Sequence, residues 1–228
     1  MDSELARRAD APRDISDLLR TLADVDGTAG HGYPSASGLG HRGDLTRNIA
    51  NLADAAHYLC MLHGRHPGVI DHAAMRTAHN DARGWLIQAA DGFADERTYL
   101  TQIAVAAGPV PSTPGQSDSE AAMLSQRHAL DMLAQSDRTG CAVGAAFALV
   151  LDWISIRLIL DAAALRLGLS PRLCTLPNRH ETLDVAMAIC GDTAVERAIH
   201  FGARQLLNQH RGLWNLLSAR AAARQPPE

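Results

Sequence analysis

No lysine occurs anywhere in the 228 residues: all 21 basic side chains are arginine. That absence excludes every mechanism needing an ε-amino group from this chain, including Schiff-base catalysis, pyridoxal-phosphate attachment and a P-loop lysine. Any recognition of anions falls to guanidinium groups or backbone amides, since arginine keeps its charge and favours bidentate partners. Aromatic residues are scarce at 4%, so a core must be built from Leu, Ile, Val, Met and alanine, and helices can approach closely through small side chains.

Glutamate is almost as rare. Only six occur, and Glu4 and Glu228 lie at the ends of the chain. A carboxylate-bridged dinuclear metal site of the ferritin type uses several glutamates with E-x-x-H pairs. No E-x-x-H is present, and the nearest substitute is Asp54-x-x-His57. The four cysteines, Cys60, Cys141, Cys174 and Cys190, show no close spacing. Neither a zinc knuckle nor a dithiol redox pair is indicated, and buried free thiols are expected. There is no basic block, and the formal charge is −4, which argues against nucleic acid or an anionic membrane surface as partner. The first residues, MDSELARRADAPRD, lack an apolar stretch behind their arginines, so no secretory signal and a cytoplasmic location are expected.

What is present is helical. The run Gly140–Gly168, GCAVGAAFALVLDWISIRLILDAAALRLG, begins with twelve uncharged residues and then carries Asp152, Arg157 and Asp161 among aliphatics. It reads as a helix apolar on every face, too short in uncharged residues for a bilayer crossing and too long for a strand. The expected architecture is all-α: a single-domain bundle of six to eight helices over 1–228, built around a buried central helix at about 139–168, with frayed termini at 1–12 and 223–228.

Around that rod the chain predicts a short helix from Asp14, a Gly-rich connection at 27–41 with five glycines, and a helix from about Gly43 to His63. A longer tract from Val69 to Ala107 follows, divided near Asp91 and Gly92 because glycine weakens helix interiors. Capping-box patterns at Ser117/Glu120, Asn178/Glu181 and Asp192–Thr193/Glu196 mark three further helix starts. No internal repeat is evident.

Buried charges need partners, and some such positions turn out to be functional. Arg157 and Asp161 stand at i, i+4 and can pair, whereas Asp152 points away from Asp161 by about half a turn. Asp152 with Arg157 is expected to face an interhelical pocket with Glu96, Tyr99 or His128. His41 and Arg42, next to a helix start at the end of the Gly-rich loop, are candidates for anion contact. The Asn48, Asn51, Asp54, His57 stripe reads as a solvated face, with Asp54 and His57 as a weaker metal-ligand alternative.

The functional expectation is a soluble bundle that binds a small molecule in an interhelical pocket gated by loop 27–41. One alternative is a metal-dependent, ferritin-like enzyme using His and Asp ligands. The other is an oligomerising or adaptor module, a homo-oligomer formed through the small-residue faces and the terminal helix at 193–222.

Overall fold

The computed structural model describes residues 14–35 and 48–224. Nine α-helices lie among the described residues, with no strand. They are α1 (Ile15–Val25), α2 (Gly32–Ser35), α3 (Ile49–His63), α4 (Val69–Arg76), α5 (Asn80–Ala106), α6 (Gln116–Ala134), α7 (Cys141–Arg166), α8 (Arg179–Ile189) and α9 (Thr193–Ala223). A 3-10 turn, Thr28–Gly30, joins α1 to α2. Eight of the nine exceed seven residues, α2 being a single turn.

α7 is the axis. Its first thirteen residues, Cys141 to Trp153, are buried without a break, because a helix apolar on every side loses least free energy when other helices surround it. Length and composition alone would let α7 cross a membrane, yet 83% of its most apolar 18-residue window is buried inside the protein, the mark of a core helix. The buried side chains of the surrounding helices join it in one continuous core.

The tightest packing is between α7 and α9. A Cβ added at Gly144 would overlap the backbone of Ile199, and one added at Gly202 would overlap the Cys141 carbonyl. The two backbones therefore meet where neither helix carries a side chain, with Ala145, Ala198 and Ala203 filling the seam at full burial. Ala198, Gly202 and Ala203 of α9 are thus packed inside the molecule against α7.

The local signals hold in part. Asn178 accepts from the Glu181 amide at 3.0 Å while Glu181 accepts from the Asn178 amide at 2.9 Å, completing a capping box. Asp192 caps α9 through the Ala194 and Val195 amides. Ser117 does not cap α6, which begins one residue earlier, after Gly115 in the left-handed region at φ +72°. Nor does the chain divide at Asp91–Gly92: α5 runs through, and the break falls at Thr77–His79. Gly92 is there for packing, since a Cβ would lie 3.0 Å from the Leu176 amide nitrogen of the loop crossing it. The buried-thiol expectation fails at Cys174, which is exposed.

Candidate functional site

Three polar networks and one cleft surround α7. The first is built on Asp152, which is 1% exposed. Its Oδ1 accepts from the Thr28 amide and its Oδ2 from the Thr28 hydroxyl, both at 2.7 Å. The Trp214 indole donates to that same hydroxyl oxygen at 2.9 Å. Asp152 Oδ2 also accepts from His210 Nδ1 at 2.6 Å, and His210 Nε2 faces His63 Nε2 at 2.8 Å. Four elements are joined here: the 3-10 turn, α3, α7 and α9. The carboxylate is saturated by these donors, which is how a buried charge becomes tolerable.

His63 is held well below the ordinary histidine range, first by burial and then by the charges of His210 and Arg97. It is neutral at physiological pH. Its ring lines a small enclosed cavity of about 20 Å³ with Arg65, Arg127 and Asp131, room for about one water molecule.

The second network lies one helix turn further along α7. Arg157 Nη1 donates to Glu96 Oε1 at 2.5 Å, and its Nε donates to Asp161 Oδ1 at 2.8 Å. Its remaining nitrogen, Nη2, meets the Arg172 carbonyl. Tyr99 donates to Asp161 at 2.8 Å and stacks beneath the guanidinium at 4.3 Å. Burial lowers the Arg157 pKa, but the Asp161 hydrogen bond and the Glu96 and Asp161 charges outweigh it and hold it above its ordinary value. Tyr99 is pushed up, by burial first and then by donation to Asp161. Trp153 separates the two networks, its indole donating to Glu96 Oε2 at 2.9 Å and its ring lying edge-on to His63 at 5.7 Å.

The third network is centred on Asp54, which is fully buried. Arg220 binds it bidentately at 3.0 and 3.1 Å, and Arg224 adds a third donor. The expected solvated stripe on α3 is thus inside at Asn51 and Asp54, because the end of α9 lies over it. His57 does not join Asp54, since its Nε2 donates to the Gly108 carbonyl at 2.7 Å. Among the described residues no cluster of three or more His, Cys, Asp or Glu could hold a metal. Arg224, placed by sequence in a frayed tail, is anchored by this carboxylate; residues 1–13 and 225–228 lie outside the described residues.

The expected constellation therefore splits. Glu96 and Tyr99 do meet Arg157, in an ion-pair and stacking cluster closed by Asp161. Asp152 does not join them, because its side chain leaves α7 on the other side of Trp153 and is taken by Thr28 and His210. His128 is exposed on α6 and belongs to neither group. His41 and Arg42 lie outside the described residues. The described part of the 27–41 segment is pinned at Thr28 and at His31, whose Nε2 meets Asn215 Oδ1 at 2.9 Å. His63 and His210 escaped the sequence reading. The available signal was periodicity: His210 recurs with Leu206, Leu207, Leu213 and Trp214 on the buried face of α9.

The concave space lies elsewhere. A cleft of about 650 Å³ opens at the N-terminal end of α7, where the ends of α4, α6 and α8 and the start of α9 meet. Arg76, His79, Asp137, Arg138 and Asp192 supply its polar lining, and Ala142, Val143, Ile189 and Val195 its apolar lining. Arg76 is held by the Gln135 carbonyl at 2.9 Å and Asp137 at 3.1 Å, while the Arg138 guanidinium rests over Phe201 at 5.7 Å.

Comparison with curated proteins and with solved structures finds no match. The matching family spans almost all of the helical body just described, from the end of α1 through α9: the chain belongs, over residues 23–225, to a family of unknown function, DUF6975.

Proposed function

We propose that this protein binds a small molecule in the cleft at the N-terminal end of α7. The observation that carries this reading is the cleft itself: about 650 Å³, apolar on the α7, α8 and α9 sides and edged by Arg76, His79 and Arg138. Ligand pockets are concavities of roughly 300–1,000 Å³ with mostly apolar walls and a few orienting polar groups. The positive end of the α7 dipole and Arg138 favour a ligand carrying a carboxylate or phosphate, since the two carboxylates of the lining are taken up, Asp137 by Arg76 and Asp192 by the first amides of α9. The buried networks around Asp152 and Arg157 support it indirectly, since they hold the rod that forms the floor of the cleft.

The test is thermal unfolding of the full chain against a panel of small carboxylate- and phosphate-bearing metabolites, repeated with Arg138→Ala. A ligand at about one hundred times its Kd stabilises by about 2.7 kcal/mol, a shift of roughly 6 °C or more for a chain of this size. The wild type is expected to show a saturable shift with at least one compound, and Arg138→Ala to lose it. No saturable shift, or an equal shift in the variant, overturns the reading.

One observation favours a second reading, self-association. Ile154, Leu158 and Leu165 form an exposed stripe along the C-terminal half of α7, and Leu173 is 86% exposed in the loop after it. Light scattering decides it: a dimer that Leu158→Arg converts to monomer supports this reading, and a monomeric wild type removes it.

A further inference from the structure

The chain Asp152–His210–His63 ties the N-terminal 3-10 turn to three helices through side chains that are all buried. The gap between His210 Nε2 and His63 Nε2, 2.8 Å, has room for one hydrogen. His210 presents its Nδ1 hydrogen to the Asp152 carboxylate, so its Nε2 alone faces His63. With one ring neutral, one nitrogen donates across the gap and the other accepts. With both rings cationic, each facing nitrogen carries a hydrogen, and the two must part.

From this geometry we infer that the His63–His210 contact is a proton-operated clasp on the segment from Thr28 to Ser35. The proton enters at His63, whose ring borders the small cavity shared with Arg65, Arg127 and Asp131. The charged groups around the pair divide by element. Arg97 and, through Trp153, Glu96 stand on α5. Asp152 stands on α7, Arg127 and Asp131 on α6, and Arg65 on the link after α3. Among the described residues no carboxylate hydrogen-bonds or ion-pairs with His63, so a charge placed there faces Arg97 and the His210 ring.

When the two rings part, His210 shifts on Asp152 Oδ2, the oxygen that also holds the Thr28 hydroxyl. The hold on Thr28, and through its hydroxyl on Trp214, weakens with it. Acid therefore loosens the N-terminal segment before the helical body opens, a local opening of the kind that proteins show below their global unfolding free energy. The fold places this pair where a proton changes which segments are held together.

The test is hydrogen exchange of the full chain, corrected for intrinsic rates, at pH 7.5 and pH 5.5. Protection at residues 26–31 is expected to fall about tenfold on acidification while the middle of α7 changes little. In His63→Phe, which keeps a ring in the site without the titrating nitrogens, the pH dependence at 26–31 is expected to vanish. Ring nitrogen shifts of the wild type give a reading that does not depend on the variant folding. They should show one hydrogen shared between His63 and His210 at pH 7.5, lost at low pH. Protection at 26–31 that is equal at the two pH values, or two imidazoles titrating as exposed rings do, overturns the inference.

Discussion

The middle of α7 and its N-terminal end are built to opposite rules. In the middle, Asp152 and Arg157 are buried, and each is saturated by partners: Asp152 by Thr28 of the 3-10 turn and His210 of α9, Arg157 by Glu96 of α5 and Asp161 of its own helix. At the end, Arg76 and Arg138 edge an open cleft; Arg76 meets Gln135 and Asp137, and Arg138 rests over the Phe201 ring. The contrast separates two reasons for a charge to sit near a core. A fully partnered ion within the helix fixes how the helices dock, whereas a solvent-accessible cation beside a concavity remains free to meet something else.

Four changes would break or sharpen that contrast. The largest effect is expected from Asp152→Ala, which strands His210, the Thr28 amide and hydroxyl and, through them, Trp214. Loss of one partner from a buried charged pair costs about 4 kcal/mol, measured as a shift in urea midpoint. Gly202→Val comes next. Its side chain has to displace the Cys141 carbonyl at the α7–α9 seam, and overpacking of this kind costs about 3 kcal/mol. An unchanged midpoint would mean that the two helices can move apart.

Third is the pH dependence of global stability. His63 is neutral in the folded protein and ordinary, near 6.5, once unfolded. The unfolded chain therefore binds more protons as pH falls below that value, and stability must fall with it. The contribution is complete above about pH 6.5, drops by about 1 kcal/mol between pH 7 and 5.5, and levels off only when the folded ring protonates. The same titration on His63→Phe should lack this slope. The smallest stability effect belongs to Arg138→Ala, under about 0.5 kcal/mol because the residue is exposed, although it should abolish ligand-induced stabilisation. Equal stability losses at Asp152 and Arg138 would erase the distinction between core and cleft.

Much of the architecture was legible in the chain. The uncharged run from Cys141 announced a surrounded helix, and Asn178 with Glu181 announced a helix start, because both are local and depend on spacing alone. Arg157 pairing with Asp161 was readable for the same reason. What spacing cannot carry is which helix lies opposite. Asp54 looked solvated because α3 by itself gives no hint that Arg220 and Arg224 will cover it from 166 and 170 residues away. Asp152 was expected beside Arg157 and Glu96, yet its partners Thr28 and His210 lie 124 and 58 residues distant. Gly92 looked like a helix breaker because only the folded chain brings the loop at Leu176 across it. The cleft was invisible for a related reason: the ends of five helices meet there, and the one motif among them, the cap at Asp192, marks a helix start and not a concavity.

The most direct measurement is native-state hydrogen exchange along α7 under neutral conditions. If the helix is enclosed where its burial is unbroken and its ions are satisfied by their partners, amides from Ala145 to Trp153 exchange only through global unfolding, with one common free energy and denaturant dependence. The first-turn amides at Ala142 and Val143, beside the cleft, exchange faster and slow down when ligand is added. Rapid exchange across the middle of α7, at rates typical of a helix wetted by solvent, would contradict the account at its root.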